Sequence, residues 1–116
     1  MKEEAVDVNE FLERVQNDKD LLLELLDIFS EDFREKRRQM ETAVKQNDCD
    51  GIKRLTHALK GSSGNISAKP LRDTFLKLED MGRNKNLSGA ENILADMDKK
   101  FEELTARITT LKDELK

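Results

Sequence analysis

The chain is poor in the residues that build disulfide frameworks and metal centres. Its 116 residues include one cysteine, one histidine and one proline, and there is no tryptophan or tyrosine. The lone Cys49 has no partner for an internal disulfide, which favours the reducing cytoplasm as the location. One histidine and one cysteine are also too few for a conventional zinc site.

The sequence also has no large excess of charge of one sign and no long apolar run. The 25 acidic and 21 basic residues are mixed along the chain and leave a net charge of −4. No basic stripe with interleaved aromatic residues is present, so we expect no nucleic-acid binding. The longest apolar run, Leu21-Leu22-Leu23, is followed at once by Glu24. We therefore expect neither a membrane span nor a secretory signal.

What the sequence does contain is a series of long segments with helical periodicity. Charged residues make up 40% of the chain, and alternating β-branched runs are almost absent, so the pattern predicts an all-α fold. We predict an antiparallel up-and-down four-helix bundle with a short additional N-terminal helix, because the connections between the long segments are short. Residues 1–116 then form a single domain, with residues 1–6 frayed at the N-terminus.

Capping residues and chain breaks predict where these helices begin and end. The second helix is expected to run to about Gln46, and the fourth to contain Pro70 in its first turn and to end at Gly82. The predicted N-caps, in chain order, are Asp7 or Asn9, Asp18 or Asp20, Asp48, Ser67 and the capping box Ser88-Gly89-Ala90-Glu91.

The only histidine, His57, is predicted to point away from the core. At about 100° per residue it falls nearly opposite the apolar and small residues of its own helix. Lys53 and Lys60 lie on its side of the helix, one turn before it and one turn after. The apolar and small residues on the side of the helix opposite His57 are Ile52, Leu55, Leu59, Ser62, Ser63 and Ile66.

Two glycines, Gly61 and Gly64, follow His57 on the same side at i+4 and i+7. A glycine inside a helix costs about 0.5–1 kcal/mol relative to alanine. Two of them beside an outward imidazole indicate that bulk is absent so that a partner can approach closely.

The run His57-Ala58-Leu59-Lys60-Gly61-Ser62-Ser63-Gly64-Asn65-Ile66 resembles the His-x-x-Lys-Gly-Ser motif of histidine-containing phosphotransfer (HPt) domains. The resemblance extends from about Phe11 to Leu115. It implies a phosphorelay role, in which His57 carries a phosphoryl group on Nε2 between aspartates of two receiver domains. The further matching segments are Phe29-Ser30-Glu31-Asp32-Phe33, Asn47-Asp48-Cys49-Asp50 and Leu78-Glu79.

The resemblance also implies roles for the neighbours of His57. Lys60 and Lys53 would place positive charge near the phosphoryl oxygens, and Gly61 and Gly64 would leave room for the loops of a receiver. Glu79 falls where a Glu or Gln commonly bonds the other imidazole nitrogen, which would leave Nε2 as the nucleophile. The alternative role of Glu79 is an ion pair with Arg83 at i+4.

The implied partners are response-regulator receiver domains and a sensor histidine kinase. Domains of this type hold no metal or other cofactor of their own, and Mg²⁺ is expected on the receiver. The chain would be a phosphocarrier without independent catalysis, since no second acid–base pair accompanies His57. We expect a monomer with no membrane contact, because the four-helix core uses up the apolar stripes.

Two departures from the HPt pattern stand close to the histidine helix. Ser67 takes the place of a frequent glycine in the following turn, and Gly64 takes the place of a common alanine.

A second apolar stripe on the second helix has two candidate uses, core or partner docking. We expect most of it to be buried under Phe11 and Val15, with an edge left exposed. It consists of Leu21, Leu25 and Ile28.

Two other functions fit the same residues. The first is the phospho-accepting domain of a chemotaxis-type histidine kinase, which shares the His-x-x-Lys-Gly run and the downstream acidic residue. The second is a helical adaptor in which His57 is incidental. Replacing His57 abolishes transfer in either phosphocarrier role and leaves an adaptor intact.

Overall fold

The computed structural model describes residues 4–115, which form five α-helices and no strand. The all-α prediction, with four long helices and a short leading one, is confirmed. The helices are α1 (Val8–Arg14), α2 (Lys19–Lys45), α3 (Cys49–Asn65), α4 (Lys69–Arg83) and α5 (Ala90–Glu114).

The four long helices pack in a closed ring, in which α2 and α4 each contact both α3 and α5. Connections of three residues join α2 to α3 and α3 to α4, so each pair must turn back on itself. Helices α2 and α5 are also antiparallel, since Asp27 pairs with Lys112 near one end and Arg37 with Asp98 farther along. None of the helices within residues 4–115 is long and apolar enough to cross a bilayer.

Aromatic and aliphatic side chains from every helix fill the core. Phe33 lies near its centre, with its ring centroid 4.2 Å from that of Phe101 and 5.9 Å from that of Phe75. This core holds α3 and α4 in place beneath the histidine. The largest fully buried side chains are Phe11, Phe33, Phe75, Leu22, Leu26, Met40, Ile52, Leu59, Leu71, Leu78, Met97 and Leu104.

Aspartates cap the first three helices. The carboxylates of Asp7, Asp18 and Asp48 each accept the backbone N–H of the residue three positions on. These bonds satisfy N–H groups that have no partner inside the helix. The caps predicted at Asp48 and, among the alternatives, at Asp7 and Asp18 are confirmed.

The caps predicted for α4 and α5 are wrong. Ala68, not Ser67, is the N-cap of α4, and the buried Ser67 adopts a left-handed φ of 59° and donates its hydroxyl to Glu10. Helix α5 begins after Gly89, whose φ is 83°, so Ser88 makes no capping bond. In both places a tertiary requirement overrides the local motif: Ser67 O accepts the N–H of Asp7, and Leu87 is buried.

The N-terminal segment is tied to the bundle. Val6 is fully buried, so the fraying expected for residues 1–6 does not extend to it; Met1–Glu3 lie outside the described residues. Arg14 donates to the carbonyl oxygens of Gly64 and Asn65 at 2.6 and 2.7 Å. These two hydrogen bonds therefore tie α1 to the end of α3.

The second apolar stripe is less buried than expected. Leu25 is half-buried, but Leu21 and Ile28 are 38% and 54% exposed. The prediction that most of this stripe lies under Phe11 and Val15 is wrong for Leu21 and Ile28, which are turned away from the core.

Candidate functional site

His57 lies in the middle of α3 with its side chain 71% exposed. The opposite face of α3 is buried in the bundle through Ile52, Thr56, Leu59 and Ser63. The imidazole thus points outward, as the helical periodicity predicts, and its ring is open to a partner from solution.

Glu79 approaches His57 from α4, and its side chain is only 1% exposed. Its Oε2 lies 2.7 Å from His57 Nδ1. An ionised carboxylate can only accept hydrogen bonds, so in the neutral ring Nδ1 must hold the proton. The other nitrogen, Nε2, then presents a lone pair to solvent.

Two cations keep this buried carboxylate ionised. Lys60 Nζ lies 2.8 Å from Glu79 Oε1, and an Arg83 guanidinium nitrogen lies 3.4 Å from the same oxygen. The hydrogen bond from Lys60, followed by that from His57, lowers the pKa of Glu79 below its usual value against the opposing effect of burial. Oε1 therefore serves the cations, while Oε2 is left for the histidine.

Both alternatives for Glu79 are present at once, since it contacts His57 and also Arg83. The Lys60 ammonium is bonded to Glu79, and the Lys60 side chain is 24% exposed. Lys53 is exposed and forms no salt bridge with any residue in the described range.

The two glycines that follow His57 leave its surroundings open. A Cβ added at Gly61 would have no neighbour within 4 Å, and one at Gly64 would meet only Arg72, at 3.6 Å. The structure thus places His57, Lys60, Gly61 and Gly64 on one accessible face of α3. Glu79 lies beneath them.

Gly82 is the residue whose place in this site the sequence analysis missed. The predicted end of α4 at Gly82 is correct to within one residue, since α4 ends at Arg83, and Gly82 is buried against α3. The signal available in the sequence was its position three residues after Glu79, which puts both on the same face of α4.

Within residues 4–115, no group of three or more His, Cys, Asp and Glu side chains is arranged to hold a metal ion. The carboxylate that contacts His57, that of Glu79, is already engaged by Lys60 and Arg83. The arrangement is suited instead to nucleophilic attack by Nε2 on an electrophile brought by a partner.

Comparison with known proteins identifies both the fold and the family. Histidine-containing phosphotransfer protein B (HptB) from Pseudomonas aeruginosa PAO1 has the same fold, with a TM-score of 0.87 and 23% sequence identity over 95% of this chain and 96% of that one. No curated protein sequence matches the chain. The sequence model of the Hpt domain matches residues 24–114, which contain His57, Lys60 and Glu79. The chain therefore belongs to the Hpt domain family.

Proposed function

We propose that this chain is a phosphorelay intermediate that carries a phosphoryl group on His57 Nε2 between aspartates of receiver domains. The 2.7 Å contact between His57 Nδ1 and Glu79 Oε2 is the observation that supports it most directly. That contact fixes the proton on one ring nitrogen and leaves the other as an exposed nucleophile.

The transfer breaks one bond to phosphorus and forms another. The Nε2 lone pair attacks the phosphorus of a receiver's aspartyl phosphate, the bond between phosphorus and the carboxylate oxygen breaks, and the aspartate leaves as a carboxylate. Nδ1 keeps its proton, so the phosphorylated ring becomes cationic, and the adjacent Glu79 stabilises that charge. Attack by the aspartate of a second receiver reverses these steps.

The surrounding residues assist this exchange by charge and by space. A phosphoryl group brings close to two negative charges. Lys60, and more distantly Lys53, would offset them, and Lys60 can turn from Glu79 toward the phosphoryl oxygens because Arg83 remains on the carboxylate. Gly61 and Gly64 leave the approach clear for the loops of the receiver.

The chain acts in this proposal as a carrier and not as an independent enzyme. The receiver supplies Mg²⁺ and most of the transition-state stabilisation, and a sensor histidine kinase stands upstream in the relay. We place the chain in the cytoplasm as a monomer. The lone Cys49, half-buried and free, fits that compartment.

The decisive test follows the phosphoryl label. Wild type and His57→Gln are each incubated with a phosphorylated receiver domain and Mg²⁺, and the protein-bound label is then treated with acid and with base. We expect an acid-labile, base-stable label on wild type alone. His57→Gln is a clean control because the side chain is largely exposed, so the bundle stays folded.

Two other results would assign a different function. Label from a chemotaxis-type kinase with ATP, but from none of several receivers, would make the chain a kinase substrate domain. Absence of label from both donors, with the partner effects of His57→Gln unchanged, would leave the adaptor function.

A further inference from the structure

Gly82 lies where α4 packs tightly against the N-terminal part of α3. A Cβ built on it would stand 2.9 Å from the carbonyl oxygen of Cys49, 3.1 Å from the backbone nitrogen of Lys53 and 3.3 Å from Ile52 Cγ2. The first two are backbone atoms of a helix and cannot rotate away. A side chain at position 82 therefore requires the two helices to separate.

This close contact lies one helical turn from the histidine. Gly82 follows Glu79 by three residues on α4, and Lys53 precedes His57 by four residues on α3. At 1.5 Å of rise per residue, the two contacts are about 5 Å apart along the helices. A displacement of α4 at Gly82 is thus passed almost directly to Glu79.

We propose that Gly82 is a positioning residue that sets the spacing of α3 and α4 and so holds Glu79 against His57 Nδ1. The inference rests on the proposed role of His57. A methyl group at position 82 needs the helices to part by about 0.5 Å to reach ordinary van der Waals separation, which begins at 3.4 Å.

The bond from His57 has little room for such a shift. Adding about 0.5 Å to the 2.7 Å between Nδ1 and Oε2 brings the pair to the outer limit of a good hydrogen bond. Water would also reach the buried Glu79 carboxylate. The neutral imidazole then distributes its proton over both nitrogens, and the fraction with a free lone pair on Nε2 falls.

The test is Gly82→Ala, read by the imidazole ¹⁵N chemical shifts of His57 above the titration range of histidine. These shifts report the tautomer without any phosphoryl transfer. Gly61→Ala adds the same methyl group on the same helix pair in open space and is the control for this measurement. We expect a mixed tautomer in Gly82→Ala and an unchanged Nδ1–H tautomer in Gly61→Ala.

Transfer from a phosphorylated receiver is the second measurement. We expect Gly82→Ala to slow transfer about 3- to 10-fold, in line with the smaller fraction of His57 that has a free lone pair on Nε2. Ile108→Val, a core change on α5, is the control for a general loss of stability and should transfer at the wild-type rate. A folded Gly82→Ala protein with the wild-type tautomer would overturn the proposal.

Glu79→Asp keeps the proposal testable if Gly82→Ala does not fold. It shortens the reach of the carboxylate while leaving the helix contact intact, so it should give the same mixed tautomer. An unchanged tautomer in Glu79→Asp would show that close spacing is not needed. If wild type accepts no phosphoryl group, the proposed function fails, while the tautomer measurement still decides the role of Gly82.

Discussion

At the scale of single residues, Lys60 makes the shortest cation contact to the buried Glu79, at 2.8 Å from Oε1. We expect Lys60→Met to lower the free energy of unfolding at pH 7 by about 1–3 kcal/mol, because the buried Glu79 carboxylate loses its nearest cation. Arg83 at 3.4 Å limits the loss. Chemical denaturation measures the change, with the exposed Lys53→Met as the control, expected within about 0.5 kcal/mol of wild type.

The same replacement should also affect the chemistry. Lys60→Met removes a cation next to the phosphoryl group, so we expect slower transfer or a shorter phosphohistidine lifetime than in Lys53→Met. Equal stability, transfer and lifetime in the two variants would reduce Lys60 to a solvated surface lysine.

We expect Glu79 to contribute to the pH dependence of the free energy of unfolding. Its folded-state pKa lies below the ordinary 4.5, chiefly because of the hydrogen bond from Lys60. Its contribution is therefore fully present above about pH 4.5 and is lost as the pH falls through the folded-state pKa. We expect Glu79→Gln to flatten the fall in unfolding free energy below pH 4.5.

Denaturant titrations between pH 3 and 7 measure this slope. Some slope should remain in Glu79→Gln, since the pKa values of Asp7 and Glu10 are also lowered by their hydrogen bonds. Asp80→Asn removes a neighbouring surface carboxylate and is the matched control. A Glu79→Gln curve parallel to wild type would contradict the linkage.

The sequence predicts the residues of the site better than their contacts. The outward direction of His57 follows from the periodicity of one helix, and the structure agrees. The contact of Glu79 came from the resemblance to HPt domains, because the helical angle of Glu79 alone only places it beside the apolar face. Which side chains meet across two helices depends on their separation, and here that separation depends on Gly82.

At the scale of elements, the turn between α3 and α4 contains Ser67, whose backbone conformation is unfavourable and whose side chain makes a stabilising hydrogen bond. Ser67 has a φ of 59°, which glycine adopts freely, and its hydroxyl bonds Glu10 at 2.8 Å. Ser67→Ala keeps the strain and loses the bond, so we expect it to be about 0.5–1.5 kcal/mol less stable. Ser67→Gly relieves the strain and should be about 1 kcal/mol more stable than Ser67→Ala.

Thermal and chemical unfolding of the three proteins give these differences. Val15 is half-buried at the end of α1 and has an ordinary φ of −98°, so Val15→Ala serves as a control for general packing loss near this end of the bundle. Equal stability of the alanine and glycine variants would show that the turn is unstrained.

The helix ends show where local signals suffice. Aspartate caps at the first three helices were predictable because the side chain bonds a backbone N–H three residues away. The signals at Ser67 and Ser88 were equally good locally and still wrong. At those turns the backbone follows contacts with α1 and with the buried Leu87, which no short sequence window contains.

At the scale of the whole molecule, the topology was predictable because short connections leave few ways to bury four apolar faces. The exposure of Leu21 and Ile28 was not predictable in this way. Their stripe is as apolar as the neighbouring one, which contains the fully buried Leu22 and Leu26. Which of the two stripes is buried depends on how the other helices pack against α2, and the sequence of α2 alone does not contain that information.

The shape of the molecule makes the proposed monomer testable. The Cα radius of gyration is 14.5 Å, and the extents are 44 × 23 × 23 Å. This exceeds the roughly 13.4 Å of an average globular chain of this length, and a dimer would measure about 17 Å or more. We expect small-angle X-ray scattering to give a value within about 1–2 Å of 14.5 Å, independent of concentration.

The exposed Ile28 provides the matched variant for that measurement. If two copies associate, the apolar stripe on α2 is the surface they would bury, and Ile28→Glu would return the radius to the monomer value because a charge on that surface would be desolvated. A wild-type radius that rises with concentration would refute the monomer. A rise that Ile28→Glu does not reverse would also place the contact away from α2.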